Sequence, residues 1–219
     1  MLNSDAISLY RDLFQVFGET KWWPGDTKDE IIVGAILTQN TTWSNVERSL
    51  ARIRNGGLMS ISALANVEQN TLIELIRSSG FYNQKSKTVL ELSQRIRDRF
   101  GTIEQMKNER TDTLQEFLID VPGIGQETMD AMLCYALDKP IFVVDKYTLR
   151  LLGRIGVSNA STIAQVKAYV HSTMGYDLEK LKNFHGLIVN FAKEYCRSKP
   201  KCEICPLQRK CDYGLCGGN

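Results

Sequence analysis

The sequence has no run of about 18 apolar residues, the length that a helix needs to span a membrane. It also lacks internal repeats, low-complexity tracts and long Gly/Ser linkers. Its first residues carry no basic segment followed by a long apolar stretch, so we expect neither a secretory signal nor a transit peptide. These absences exclude a membrane-spanning helix and predict a cytoplasmic protein whose 219 residues can bury a core without disulfide bonds.

A strong excess of either charge is also absent, because the formal net charge is +2. By itself this value does not indicate a nucleic-acid partner. Positive charge nevertheless gathers near the C-terminus, where residues 193–210 contain six basic side chains and two acidic ones. Such a cluster is either a solvated surface or a contact surface for an anionic partner.

Helical patterns cover most of the chain. Thr27 and Glu30 have the spacing of a capping box, and apolar residues from Asn83 to Phe100 recur every three or four positions before Gly101. The one alternative strand candidate, residues 140–144, is short and has no pairing partner. The sequence therefore predicts an all-α fold with further helices at about 4–18, 43–55, 70–78, 111–120, 126–137, 145–155, 161–173 and 178–195.

The segment Val121-Pro-Gly-Ile-Gly125 separates two of these predicted helices. Gly123 and Gly125 leave no side chains between the backbone amides and an approaching anion. Amides at the start of the following helix, including that of Gln126, can then bind a DNA phosphate without reading a base. A tight turn between packed helices is the alternative interpretation of the same residues.

The apolar run Phe142-Val-Val144 leads directly to Asp145, which we expect in the first turn of a helix. Free amides at a helix N-terminus stabilise a carboxylate, so Asp145 should stay ionised at neutral pH. The residue is therefore either a simple N-cap or a carboxylate available for chemistry.

Five of the six cysteines lie within the last 24 residues, unlike the cysteines of most secreted disulfide frameworks. Four of them follow the pattern Cys196-x5-Cys202-x2-Cys205-x5-Cys211. Four thiolates in a compact loop can hold a [4Fe-4S] cluster, and tetrahedral zinc accepts the same ligands. The spacing does not choose between them, and Cys216 has no assigned role.

The combination of PGIG with VVD-x4-R resembles the endonuclease III superfamily of DNA glycosylases, also called the helix-hairpin-helix-GPD superfamily. The resemblance implies two helical lobes that flank a DNA-binding cleft in a single unit over 1–219. Lobe A would span about 24–137, barrel-like with six helices and a hairpin at 114–137. Lobe B would combine about 1–23 with 138–219 and end in a [4Fe-4S] loop at 196–211, whose first cysteine interval is one residue shorter than is usual in that family.

The resemblance also implies a monomeric base-excision-repair enzyme that acts on double-stranded DNA containing a damaged base, in the cytoplasm or, in a prokaryote, at the nucleoid. Asp145 matches the family's invariant Asp, which faces the sugar of a nucleotide rotated out of the duplex. In that role it would support hydrolysis of the N-glycosidic bond. The expected phosphate-binding residues are Gly123, Gly125, Gln126, Lys146, Lys199 and Lys201.

A closer resemblance exists to the endonuclease III-type 3-methyladenine DNA glycosylases. It is carried by Trp22-Trp-Pro24, Gly34–Thr41 with Trp43, Ser79–Lys85, Ala131–Ala136, Val144–Tyr147 and Phe184-His-Gly186. The resemblance implies that Trp22 and Trp43 sandwich the flipped base, that Trp23 and Pro24 shape the pocket, and that Gln39 fills the gap in the duplex. An alkylated purine carries positive charge, which makes stacking on indole rings favourable. Core packing is the alternative for Trp22 and Trp23.

In family members that also cut the DNA backbone, a lysine forms a Schiff base at the position that matches Glu127. A carboxylate cannot form an imine, so we expect a monofunctional glycosylase, and Lys146, next to Asp145, is an alternative lysine for this chemistry. Tyr147 and Lys193 are candidates for lining the cleft, and His185 is interpreted as structural. The rival functions are a mismatch or oxidised-pyrimidine glycosylase, a non-catalytic DNA-binding module, and a zinc-stapled interaction protein.

Overall fold

The computed structural model describes residues 5–20, 22–157 and 161–215. All regular elements within these residues are helical and no strand occurs among them, which confirms the all-α prediction. None of the helices in these ranges is long and apolar enough to cross a membrane. Cys216 lies outside the described residues.

The chain divides into two compact units. The terminal unit consists of Met1–Trp23 together with Pro140–Asn219, and the central unit is Pro24–Lys139. The helices are, in chain order, α1 Ala6–Phe17, α2 Lys28–Leu37, α3 Trp43–Asn55, α4 Ile61–Leu64, α5 Gln69–Ile76, α6 Tyr82–Phe100, α7 Ile103–Met106, α8 Thr111–Ile119, α9 Gln126–Ala131, α10 Lys146–Ile155, α11 Ile163–Met174, α12 Leu178–Glu194 and α13 Asp212–Leu215. Short 3-10 turns occur at Arg77–Ser79, Cys202–Ile204 and Gln208–Lys210, and a π-helical segment, Met132–Ala136, continues α9.

Helix α2 of the central unit begins after Thr27, whose hydroxyl accepts a hydrogen bond from the Glu30 amide at 3.1 Å. The capping-box prediction is wrong in its second hydrogen bond, in which the Glu30 side chain would accept the Thr27 amide. The Glu30 carboxylate instead accepts the Asp26 amide at 3.1 Å and pairs with Arg54 of α3. Because Glu30 is buried, its charge requires a partner, which Arg54 of the neighbouring helix supplies.

Buried Lys85 of α6 stabilises the C-terminal end of α2. Its ammonium donates hydrogen bonds to the carbonyls of Leu37, at 2.9 Å, and Ser79, at 2.7 Å. Burial lowers the pKa of Lys85 to about 8, because the low-dielectric interior disfavours the charged form. These bonds link α6 to the turn that carries Gln39.

The core of the terminal unit is built from α1, α10, α11 and α12. Phe142 and Phe184 are both fully buried, and their rings stack at a centroid distance of 5.5 Å. Residues 140–144 are not a strand, in agreement with the sequence analysis. The amide of Phe142 donates to His171 Nε2 at 3.2 Å, which helps to place the segment that leads into Asp145.

Candidate active site

Asp145 caps the N-terminus of α10. Its Oδ1 accepts a hydrogen bond from the amide of Thr148 at 2.7 Å, and the residue is 8% exposed. Its second oxygen, Oδ2, lies 3.6 Å from Nε2 of His185 on α12. Asp145 is therefore the N-cap of α10 and at the same time has a carboxylate oxygen next to a titratable group. That group, His185, could not be identified as its partner from the sequence.

The pKa of the Asp145 carboxyl reflects two opposing effects. Burial works to raise it, whereas the His185 imidazole and the Thr148 amide lower it, and the net result is a pKa below the ordinary value for Asp. Asp145 is therefore ionised at neutral pH although it is buried. A buried carboxylate in this state can stabilise positive charge that develops on a neighbouring group.

Trp22 packs against α12, the helix that carries His185. Gly186 makes the approach possible, since a Cβ at that position would lie 2.5 Å from Thr20 Oγ1 and 2.6 Å from Trp22 Cβ. The Trp22 ring lies edge-on to His185 at 6.4 Å and at 64° to Trp23 at 6.1 Å. Its buried Nε1 has no hydrogen-bond partner within the described ranges.

Lys193 of α12 is exposed overall, but its ammonium lies 5.0 Å from the centre of the Trp22 ring. Desolvation lowers the pKa of Lys193, and the charge of Asp145 partly opposes this effect. The terminal unit thus brings Trp22, Trp23, Asp145, His185 and Lys193 into one neighbourhood. Pro24 and Trp43, the other predicted pocket residues, belong to the central unit, where the Trp43 Nε1 donates to Glu47 Oε1 at 2.8 Å.

Helices α8 and α9 of the central unit form a hairpin around residues 120–125. Gly123 adopts φ +91°, and a Cβ there would clash with the hydroxyl of Thr88, which itself donates to Pro122 O at 2.9 Å. Gly125 caps α9 without a side-chain hydrogen bond, and both Gly125 and Gln126 are exposed. The amides of the first turn of α9 are therefore accessible to an anion.

Substituting the two hairpin glycines tests which of them the fold requires. Gly123→Ala is expected to destabilise the protein by about 2–4 kcal/mol, because the alanine is strained at positive φ and overlaps Thr88. Gly125→Ala is the matched control, since φ is −93° there and no atom lies within 4 Å of the added methyl group. Denaturant unfolding measures both changes, and equal losses for the two variants would contradict this account.

Gln39, predicted to enter the duplex, is half-buried in this structure and bound to the hairpin. Its Nε2 donates to the carbonyl of Gly123 at 3.0 Å and to Thr128 Oγ1 at 2.9 Å. Insertion into DNA requires both hydrogen bonds to break. The sequence contains no signal for this contact, because 84 residues separate Gln39 from Gly123.

The four cysteines of the predicted metal loop interact electrostatically. Burial raises the pKa of Cys205 and Cys211, and the neighbouring loop cysteines raise it further. Within the ranges that the structure describes, no three His, Cys, Asp or Glu side chains form a group that could hold a metal ion as they stand. Cys134, by contrast, is a buried core residue of the central unit.

The HhH-GPD family of base excision DNA repair proteins matches residues 33–174. The chain belongs to this family. A putative DNA repair glycosylase of Methanocaldococcus jannaschii is 40% identical over 206 residues, which cover 93% of this chain and 94% of that protein. Endonuclease III of Thermotoga maritima is 26% identical over 184 residues, which cover 84% of this chain and 82% of that protein. The crystal structure of Helicobacter pylori 3-methyladenine DNA glycosylase (MagIII) bound to 1,N6-ethenoadenine has a TM-score of 0.78 and 32% identity, and covers 87% of this chain and 98% of that one.

In this HhH-GPD protein, two arginines of α10 bind the start of the cysteine loop, a link that the sequence analysis missed. Arg150 Nε donates to Cys196 O at 2.8 Å. Arg154 donates to Arg197 O at 2.6 Å, to Ser198 O at 3.0 Å and to Cys196 Sγ at 3.4 Å. The helix that carries Asp145 therefore also organises the shortened Cys196–Cys202 interval.

The predicted phosphate-binding lysines of this HhH-GPD protein, Lys146, Lys199 and Lys201, are exposed. Lys210, in contrast, pairs with Asp12 at 2.8 Å. Among the basic residues of the C-terminal loop, Lys199 and Lys201 therefore stay the predicted phosphate ligands, whereas Lys210 stabilises the packing of α1 against the loop.

Proposed function

We propose that the protein is a monofunctional DNA glycosylase that hydrolyses the N-glycosidic bond of a flipped, damaged base in double-stranded DNA. The observation that carries this proposal is the ionised, buried Asp145 next to His185, whose ring in turn contacts the ring of Trp22. A reaction that leaves positive charge on a sugar needs a fixed negative charge next to it, and this carboxylate supplies one.

In the proposed reaction, amides at Gly123, Gly125 and Gln126 bind the phosphate backbone without reading sequence. The damaged nucleotide leaves the stack, and its base stacks on Trp22. As the bond between base and sugar breaks, Asp145 stabilises the oxocarbenium-like sugar and directs or deprotonates the attacking water. The roles of Pro24 and Trp43 in the base pocket and of Gln39 in the duplex stay predictions from the resemblance.

A 3-methyladenine or related alkylpurine is the proposed substrate. Its positive charge weakens the glycosidic bond and favours stacking on the electron-rich indole of Trp22. The similarity to the H. pylori 3-methyladenine DNA glycosylase, which extends over 98% of that chain, supports this choice.

Lys193 should modulate this preference, because its protonated ammonium lies over the indole on which a cationic base would stack. We expect Lys193→Met to raise the release of 3-methyladenine relative to neutral 1,N6-ethenoadenine by about fivefold, the ratio that roughly 1 kcal/mol of charge competition produces. Single-turnover base release from the two duplexes measures the ratio. Lys199→Met is the control and should weaken both reactions equally, and an unchanged ratio in Lys193→Met would contradict the prediction.

The absence of strand cleavage is part of the proposal. Glu127 is exposed on the first turn of α9, at the position where lyase members carry their Schiff-base lysine. Glutamate has no amine to attack the sugar. Trapping with borohydride should therefore yield no covalent complex, and the abasic product should stay intact until alkali is added.

We also propose that Cys196, Cys202, Cys205 and Cys211 hold a [4Fe-4S] cluster, with zinc as the alternative. The chemistry of the donor set fits, because four cysteine sulfurs of one short loop are close enough to interact electrostatically, and four thiolates are the ligands that a [4Fe-4S] cluster takes. When bound, the cluster supplies a structural crosslink. In this arrangement the loop presents Lys199 and Lys201 to phosphates, and Arg150 and Arg154 hold its first cysteine segment.

An endonuclease III-type glycosylase acting on mismatches or oxidised pyrimidines is the second candidate, which the similarity to T. maritima endonuclease III favours. A lesion panel decides between the two. Free-base release is measured from duplexes containing 3-methyladenine, G:T, G:U or thymine glycol. Release of the alkylated base supports our proposal, whereas cleavage confined to G:T, G:U or thymine glycol overturns it.

A further inference from the structure

His185 is a buried polar residue for which the proposed reaction has no use. It is 3% exposed, on the face of α12 that packs inside the terminal unit. Its ring is set edge-on to two aromatic rings, Trp22 at 6.4 Å and 73°, and Phe142 at 6.5 Å and 88°. These contacts restrict the plane of the ring.

That nitrogen faces the oxygen of Asp145 that the helix cap does not use. Oδ1 is bound to the Thr148 amide at 2.7 Å, whereas Oδ2 lies 3.6 Å from His185 Nε2. Rotation about the terminal bond of an Asp side chain is soft, so one hydrogen bond does not orient the carboxylate fully. A second contact from a rigid ring removes the remaining freedom.

Charge points to the same conclusion. Burial alone would raise the pKa of Asp145 and favour its inactive, protonated form, and His185 is the largest of the effects that oppose burial. Within the described residues, the titratable side chains that face Asp145 are His185 and Lys193, both from α12. Lys193 is the more exposed of the two, so its influence on the carboxylate is more strongly screened by solvent.

We propose that His185 is a positioning residue for Asp145: its buried ring orients the second oxygen of the buried carboxylate. This inference rests on the proposed function, in which Asp145 supports hydrolysis. His185 itself contacts neither the base nor the sugar and acts through Asp145. It therefore controls the lower pH boundary of the reaction, and its loss does not affect DNA binding.

Two substitutions in the full-length protein test this role. His185→Phe keeps the aromatic contacts with Trp22 and Phe142 but has no ring nitrogen, whereas His185→Gln keeps an N–H donor of similar reach. Without the imidazole, burial is opposed less, so a larger share of Asp145 is protonated in mild acid. In single-turnover base release, His185→Phe should therefore lose about tenfold or more at about pH 5.5 relative to wild type, and much less at about pH 8. His185→Gln should restore most of the rate at low pH.

Phe191→Leu is the matched control. It removes part of a buried ring on the same helix, where Phe191 packs against Phe17, and it does not touch Asp145. It should lower the thermal unfolding midpoint without moving the acid limb of the pH profile. A purely structural role for His185 predicts that His185→Phe behaves in the same way, and that outcome would overturn the proposal.

A carboxyl NMR titration separates this proposal from the proposed function, since it requires no substrate. Following the Asp145 13C carboxyl signal in wild type and His185→Phe measures the ionisation directly. A raised pKa in the variant supports the positioning role even if no lesion is processed. An unchanged pKa refutes the role even if base release is robust.

Discussion

Asp145→Asn is expected to lower the rate of base release by about 10³-fold or more while duplex binding is retained. Asn is as good an N-cap as Asp, so the hydrogen bond to the Thr148 amide survives and α10 keeps its start. The negative charge that faces the developing oxocarbenium ion is lost. Single-turnover kinetics and an equilibrium binding assay on the same duplex measure the two quantities.

Asp177→Asn is the control for this experiment, because Asp177 caps α12 in the same unit by accepting the Lys180 amide at 3.1 Å. It is exposed, so the same change of atoms should leave base release unaltered. If the protein is instead a non-catalytic DNA-binding module, both Asn variants should bind the duplex as wild type does and should show no change in base release. Unchanged base release in Asp145→Asn would remove the carboxylate from the mechanism.

Cys205→Ser should abolish metal binding and lower the free energy of unfolding by about 4 kcal/mol or more, the scale of losing a structural metal. A [4Fe-4S] cluster predicts a brown wild-type protein with about four iron atoms per chain, and zinc predicts a colourless one with a single metal ion. Elemental analysis, visible absorption and thermal unfolding measure these outcomes. DNA affinity should fall as well, because Lys199 and Lys201 lie on the same loop.

Cys134→Ser provides the comparison, since Cys134 is fully buried in the core of the central unit and is not one of the four loop cysteines. This substitution should lower the free energy of unfolding by about 1–2 kcal/mol, because it buries a hydroxyl, and should leave the metal content unchanged. Equal metal content in the Cys205→Ser variant and wild type would show that the loop does not bind metal.

Most of the helices could be predicted from the sequence, because their signals are local. α6 carries a regular apolar spacing and ends at Gly101, whose amide bonds to Ile96 O and Arg97 O. The single-turn helices α4 and α7 were missed, because four residues are too few to show a helical period. The π-helical segment Met132–Ala136 was missed because its spacing differs little from that of an α-helix.

The candidate site was predictable in its individual residues but not in their partners. Asp145 carries the motif signal, whereas the closeness of His185 depends on how α12 packs against α10. The Gln39 amide bound to the hairpin and the Glu30–Arg54 pair are further contacts between residues far apart in sequence. Such contacts are decided by tertiary packing, on which spacing along the chain carries no information.

Helix α10 connects two sites of the terminal unit, the candidate catalytic carboxylate and the start of the cysteine loop. Asp145 lies at its first turn, and nine residues later, about 13 Å along the helix axis, Arg154 is bound to the carbonyls of Arg197 and Ser198. Ten helical residues bend little, so the two ends of this helix keep a fixed spacing and orientation. The contacts with the cysteine loop and the carboxylate of Asp145 therefore depend on one element, so unfolding of the loop would remove support from the helix that presents the carboxylate.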